Sequence, residues 1–399
     1  MKSITELYKV GRGPSSSHTI GPEKACNILK NKYPNANRFV VELCGSLSAT
    51  GKGHLTDKII IETLSPNEVE IIFNNEKTDL PHPNTFYVVA YNGSEEIGRD
   101  YVCSVGGGAI TFNGEVLAES KEVYPHSTFA EIEDFCKQNN LRLWQYVEIF
   151  EKDNLWEYLA SIWEKMKNCI NEGLSKDGVL AGGINTVRKA KTLFSQYAIN
   201  ESEESRDNRL VCAYAFAASE TNASGGTVVT APTCGSCGVL PAVLRHLQEK
   251  FNLSDDIVLK GLATASVIGN LIKTNASISG AECGCQAEVG VACAMASAAI
   301  GEIKGYTIDQ IEYASEIAIE HHLGLTCDPI CGLVQIPCIE RNAVAALRAL
   351  NESSLATFIS NTAKIPFDMV VKTMYETGKD LSVRYRETSE GGLAKSYKN

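Results

Sequence analysis

Apolar and polar residues alternate along short runs in the first third of the chain. Phe39–Cys44, Val69–Phe73, Phe86–Tyr91 and Tyr101–Val105 are apolar-rich runs that read as β-strands. Between them, 16–32 and 53–64 read as helices. Pro14 and the serine cluster stand at the start of the first, as helix N-termini prefer. Beyond residue 140 the pattern becomes helical. Leu141–Gly173 is one long period, and 185–198, 239–251, 255–274, 286–302, 308–322, 339–351 and 354–378 follow. Loops rich in Gly, Ser, Cys and Pro separate them at 222–238, 275–285 and 323–338. The expected fold is α+β in two domains: a small N-terminal α/β domain over 1–125 and a larger all-α domain over 141–399. Residues 126–140 are expected to be a linker. A length of 399 residues suits that division.

Composition narrows the function classes. Lys and Arg total 37 against 48 Asp and Glu, a net charge of −11, which argues against nucleic acid or an anionic membrane as partner. The strongly apolar stretch Val289–Gly301 is too short to span a bilayer. The first residues carry no apolar signal core, so a cytoplasmic location is expected. Fourteen cysteines then stand out, because a disulfide framework is not expected there.

Cys285 and Cys338 fall at predicted helix starts, and Cys327 lies in a Pro-flanked loop. Helix N-termini favour thiolate, the form that binds metal. Three such thiolates could hold three corners of an iron–sulfur cube and leave one iron open. Their spacing alone is weak evidence, and buried cysteine is a common small hydrophobe. Cys234 and Cys237 have C-x-x-C spacing, but no second pair follows, and His321–His322 does not complete a zinc pattern.

Several motifs in order carry a resemblance. VGRGPSSSHTIGP (10–22), CGSLSATGKGHLTDK (44–58) and AYNGSEEIGRDYVCSVGGGAI (90–110) lie in the first part. GGTVVTAPTCGSCGVLPAVL (225–244), ISGAECGCQAEVGVACAMASAA (278–299), LGLTCDPICGLVQIPCIERNA (323–343) and YRETSEGGLA (385–394) lie in the second. The chain resembles the bacterial iron–sulfur-dependent L-serine dehydratases (L-serine ammonia-lyases), in the form with both parts on one chain.

The resemblance implies a [4Fe–4S] cluster on Cys285, Cys327 and Cys338, no pyridoxal phosphate, and conversion of L-serine to pyruvate and ammonia. Cys234, Cys283 and Cys331 depart from the pattern of many relatives. In some relatives a C-terminal cysteine tail reaches the site; this chain ends AKSYKN, so that device is expected to be absent. A deletion relative to longer relatives is expected within 112–140.

Proton transfer is assigned to His54, with His18 as partner or substrate contact. Asp57 is expected to orient the His54 imidazole, or else to cap a helix. Lys52 is a candidate to lower a histidine pKa or to pair a carboxylate. Arg341 and Glu340 are candidates to tune the cluster, with a surface salt bridge as the alternative. Ser15, Ser16 and Ser17 offer hydroxyls and free N–H groups for the substrate carboxylate, or plain capping. Ser104, Gly106 and Gly107, and Asn222, Ser224 and Gly225, form loops that let a ligand approach the backbone closely; turn or bulge formation is the alternative. The expected partners are a small amino acid and a second copy of the chain, as a homo-oligomer, a dimer. Two other functions remain open: the same chemistry on L-threonine or L-cysteine, and a non-catalytic iron–sulfur or amino-acid sensor.

Overall fold

A computed structural model of the chain describes residues 1–116, 122–151, 154–196 and 199–397. The strands are β1 (Val10–Arg12), β2 (Arg38–Cys44), β3 (Glu68–Asn74), β4 (Thr85–Asn92), β5 (Glu95–Gly106), β6 (Ala109–Phe112), β7 (Glu115–Val116) and β8 (Thr227–Val229). In the first part the helices are α1 (Ile20–Lys32), α2 (Gly45–Ala49) and α3 (Thr56–Leu64). Then come α4 (Phe129–Asn139), α5 (Leu143–Glu151), α6 (Leu155–Ser175), α7 (Ala190–Ser195), α8 (Glu203–Ala223), α9 (Val239–Phe251) and α10 (Asp255–Asn275). The last are α11 (Gly280–Cys283), α12 (Val289–Ile303), α13 (Ile308–Glu320), α14 (Cys338–Ile359), α15 (Phe367–Asp380) and α16 (Gly392–Ser396). The protein is therefore mixed α/β, with a sheet-bearing N-terminal region and a helical remainder.

Six strands form one sheet in the order β3-β2-β4-β5-β6-β7. Only β2 and β3 run parallel; the other pairs are antiparallel. Alternation puts Phe39, Val41 and Leu43 of β2 and Phe86, Val88 and Ala90 of β4 on one buried face. Cys26 and Leu29 of α1 and Ile60 and Leu64 of α3 cover that face. A separate core fills the helical part. At its centre Val289–Glu302 of α12 is buried on every side, packed by α10, α13 and α14. Its Ala, Gly and Ser residues let those helices approach closely. α10 has the length and apolarity of a membrane-crossing helix, but most of it is buried in this core.

Four expectations need correction. Residues 126–140 are not a free linker: α4 starts with a capping box of Thr128 and Glu131, and buries Phe129, Ile132 and Cys136 in the helical core. The helical part is not wholly α, because β8 pairs antiparallel with β1. The period Leu141–Gly173 breaks into α5 and α6, where Asn154 takes a left-handed conformation. α14 runs unbroken through Asn351–Ser354, whose serines bond back to Ala349 and Leu350 carbonyls within the helix.

The opening residues belong to the helical core. Ile4, Leu7 and Tyr8 are fully buried there, and Tyr8 Oη donates to the Leu262 carbonyl at 2.9 Å. Each such side chain contributes about 1.5–3 kcal/mol by burial. The N-terminal ammonium bonds the Tyr124 carbonyl at 2.7 Å.

Candidate active site

The PSSSH loop precedes α1, and the GKGH loop joins α2 to α3. Together they bring His18 and His54 face to face, rings stacked 4.3 Å apart. Both are fully buried, and burial holds both pKa values down, His54 to about 4. Both imidazoles are therefore neutral.

Their hydrogen bonds select the tautomers. His54 Nδ1 lies 3.0 Å from the Thr50 carbonyl, which can only accept, so Nδ1 carries the proton and Nε2 the lone pair. The Thr50 hydroxyl donates to the Ser46 carbonyl, so it accepts from His18 Nε2 at 2.9 Å. His18 Nδ1 then accepts from Ser17, 3.0 Å away, with Ser15 at 3.3 Å. Both nitrogens of His18 are engaged within the loops. His54 Nε2 instead faces the Glu387 carboxyl at 3.5 Å.

Glu387 comes from the far end of the chain. Its N–H bonds the Cys327 carbonyl at 2.8 Å, and the Cys327 N–H bonds the Tyr385 carbonyl at 2.7 Å. Ser46 Oγ donates to the Glu387 carbonyl at 2.7 Å. Glu387 holds φ +59, unusual for a side-chain-bearing residue. Burial raises its carboxyl well above the usual range. His18, His54 and Glu387 place one ligand atom each within 4.8 Å of one another, close enough for a single ion.

Next to this trio lie the three predicted cysteines. Cys285 opens a short 3-10 turn ahead of α12, Cys338 is the first residue of α14, and Cys327 lies in the loop tied to Glu387. Cys327 and Cys338 both feel the charge of Cys285, and Arg341 acts on Cys285 and Cys338. Lowered thiol pKa values, expected from the helix starts, are not found. Burial outweighs the dipole and pushes all three up, Cys285 to about 11. A metal centre here must therefore displace three protons. Gly280 passes so close that a Cβ on it would lie 3.3 Å from Cys327 Sγ and 2.6 Å from Glu288 Oε2. Glu288 is partly buried, accepts from Thr233 at 2.7 Å, and has its pKa raised by burial to about 7.

Other expected residues fall in different places. Asp57 does not orient His54, since Thr50 does; its Oδ1 accepts from the Lys58 N–H in the first turn of α3. Lys52 lies over the Phe73 ring, 5.1 Å from its centroid. Arg341 donates to the Thr326 carbonyl at 2.6 Å beside the thiols, whereas Glu340 pairs with Lys189 at the surface. Ser15, Ser16 and Ser17 are buried at the PSSSH turn. Asn222 Nδ2 donates to the Pro14 carbonyl at 2.7 Å, tying the helical part to that turn. Ser224 instead bonds Arg188 and the Glu220 carbonyl, and Gly225, at φ +74, closes the turn after α8. Gly106 and Gly107 take φ +99 and +56 in the turn between β5 and β6, beside Ser279 and Ile278. Cys234 and Cys283 are buried, and Cys331 is exposed. A cavity of ≈ 400 Å³ opens at the seam, lined in part by Ser46, Ala49, Pro83, Ala281, Arg386 and Thr388.

The sequence reading missed Glu387 and Glu288. Each stands within a motif quoted above, but a carboxylate in a Gly-, Ser- or Ala-rich run carries no mark of burial in the sequence.

The two halves of this site match two family models. The model described as Serine dehydratase alpha chain covers residues 55–394, and that described as Serine dehydratase beta chain covers 3–72. The chain belongs to the serine dehydratase family, with both parts fused. It is 38% identical to L-serine dehydratase 1 of Escherichia coli, over 99% of each chain. It is also 38% identical to L-serine dehydratase of Haemophilus influenzae, over 99% of each, and 37% to that of Streptomyces coelicolor, over 98% of each. The first of these alignments runs over 450 positions against 399 residues here, so that relative holds residues this chain lacks.

Proposed function

We propose that the chain is an L-serine ammonia-lyase that converts L-serine to pyruvate and ammonia, with a [4Fe–4S] cluster on Cys285, Cys327 and Cys338. The donor set supports the cluster. Three thiols, those of Cys285 and Cys327 buried and that of Cys338 half-buried, are soft ligands, one short of a closed tetrahedral zinc site. When bound, such a cluster supplies an iron free to act as a Lewis acid on the leaving hydroxyl.

The remaining work falls to the protein. His54 Nε2 takes the Cα proton; the Nδ1–H bond to Thr50 fixes the ring and leaves that lone pair available. Glu387, next to Nε2, holds its carboxyl beside the nitrogen that receives the proton. His18, locked by Ser17 and Thr50, holds the stacked partner ring in place. Loss of the proton and the hydroxyl gives 2-aminoacrylate, which tautomerises and hydrolyses to pyruvate and ammonia. A cytoplasmic homodimer is part of the same proposal.

One observation carries this reading: two neutral histidines from the sheet-bearing part meet three thiols of the helical part, two buried and one half-buried, at Glu387. The test is pyruvate formation from L-serine after anaerobic reconstitution, repeated after brief exposure to air. Activity that vanishes in air supports the proposal. An intact cluster with no pyruvate refutes it, and turnover of L-threonine or L-cysteine in its place identifies another β-substituted substrate.

A further inference from the structure

Among the buried side chains next to this site whose polar atoms lack partners, three adjoin one another. Asn84 is wholly inaccessible, and neither its amide nitrogen nor its amide oxygen is hydrogen-bonded. Ser104, equally inaccessible, has a free Oγ, and so does Ser279, 3% exposed. Buried polar atoms without partners cost free energy, and each needs an explanation.

The three are neighbours. The register Thr85↔Cys103 puts Asn84 opposite Ser104, whose N–H bonds the Asn84 carbonyl at 2.9 Å. Opposed residues of a strand pair project to the same face. Ser104 lies two residues before Gly106, where a Cβ would meet Ser279 Cβ at 3.3 Å.

Each also adjoins a group of the site. Asn84 follows Pro83, whose carbonyl accepts from the N–H of Ser46, the residue against His18 Nε2. Ser104 Oγ would lie 2.3 Å from a Cβ on Gly21, whose N–H bonds the Ser16 carbonyl. Ser279 precedes Gly280, which packs on Cys327 Sγ and Glu288.

Resting on the lyase reading, we infer that Asn84, Ser104 and Ser279 form the subsite for the α-ammonium and α-carboxylate of the amino acid. An amide with both ends free matches a zwitterion: its NH2 donates to the carboxylate, and its oxygen accepts from the ammonium. Two hydroxyls supply further donors to the carboxylate. Neutral side chains suit a ligand whose two charges cancel. The leaving hydroxyl, on the opposite end of serine, is then directed towards the cysteines.

The test uses the anaerobically reconstituted enzyme and the variants Asn84→Ala, Ser104→Ala and Ser279→Ala. KM for L-serine and melting temperature are measured for each. Calorimetric binding of L-alanine, which has both charged groups and no leaving hydroxyl, is the second probe. Each variant should raise KM, and the L-alanine Kd with it, about tenfold. Because no protein bond is lost, Tm should hold or rise. A fall in Tm with KM and Kd unchanged assigns the three to structure and overturns the subsite. Unchanged values throughout mean that only water occupies the space, and overturn it equally. Wild-type protein that makes no pyruvate, yet binds L-alanine in a way these variants weaken, keeps the subsite and removes the lyase reading. Wild-type protein that neither binds L-alanine nor turns over serine removes both.

Discussion

The Glu387 carboxyl lies 3.5 Å from His54 Nε2, although the two residues stand near opposite ends of the chain. His18 is equally buried, yet its nitrogens are already bonded to Ser17 and Thr50. The two histidines should therefore respond differently to the same change. His54→Asn should lower kcat by about 10²–10⁴-fold, the usual scale of a lost proton-transfer group. His18→Asn should cost less. Anaerobic pyruvate assays with the cluster absorbance as loading control decide the order; equal losses would reject the assignment.

Cysteine replacement should divide the thiols into two sets. Cys285→Ala, Cys327→Ala and Cys338→Ala should each lose iron, visible absorbance and activity, because three ligands leave no redundancy. Cys331→Ala should keep all three, since this thiol is exposed. Iron content after anaerobic reconstitution is the readout.

Gly280 makes a sharper structural test. An added methyl would come within 2.6 Å of Glu288 Oε2 and 3.3 Å of Cys327 Sγ. Gly280→Ala should therefore disturb cluster loading while the remote helical core stays folded. A normal absorbance spectrum and unchanged kcat would contradict the close packing described.

Much of the sheet was legible because β2 and β4 bury one face, which leaves a clean alternation. α8 escaped notice. Its buried face relies on Ala213, Ala217 and Ala218, small residues that print a weak period beside a charged first half. The linker assignment overlooked a capping box spelled out in Thr128 and Glu131. At the site, the histidines and the three cysteines could be picked out by their motifs. Glu387 could not, because a carboxylate in a Ser- and Gly-rich loop reads as solvated until tertiary contacts enclose it. The same enclosure reversed the thiol expectation: a dipole is visible in the sequence, desolvation is not.

A buried carboxyl near the far end of α14 from Cys338 yields a pH prediction. Burial raises the Glu352 pKa to about 7, with Cys293 Sγ donating to it at 3.3 Å and Arg348 3.8 Å away. A folded value above the unfolded one gives stability that is full below about pH 4.5 and lost as pH rises through about 7. Glu352→Gln removes that loss. The variant should gain on the wild type between about pH 5 and about pH 8, by about 1–3 kcal/mol. Denaturant melts at both ends of this range check it; a gap independent of pH would exclude ionisation as the cause.

The β1–β8 ribbon and the buried Ile4, Leu7 and Tyr8 change what covalent continuity is for. A cut between Val116 and Glu122 would not release the sheet-bearing part, whose first residues are threaded into the helical body. The severed pieces would stay associated by the ribbon, the Met1–Tyr124 bond and the seam at Glu387. What fusion adds is a high effective concentration of one half at the other. A protease nick there should thus spare activity at ordinary protein concentrations, whereas removal of the first nine residues should abolish it.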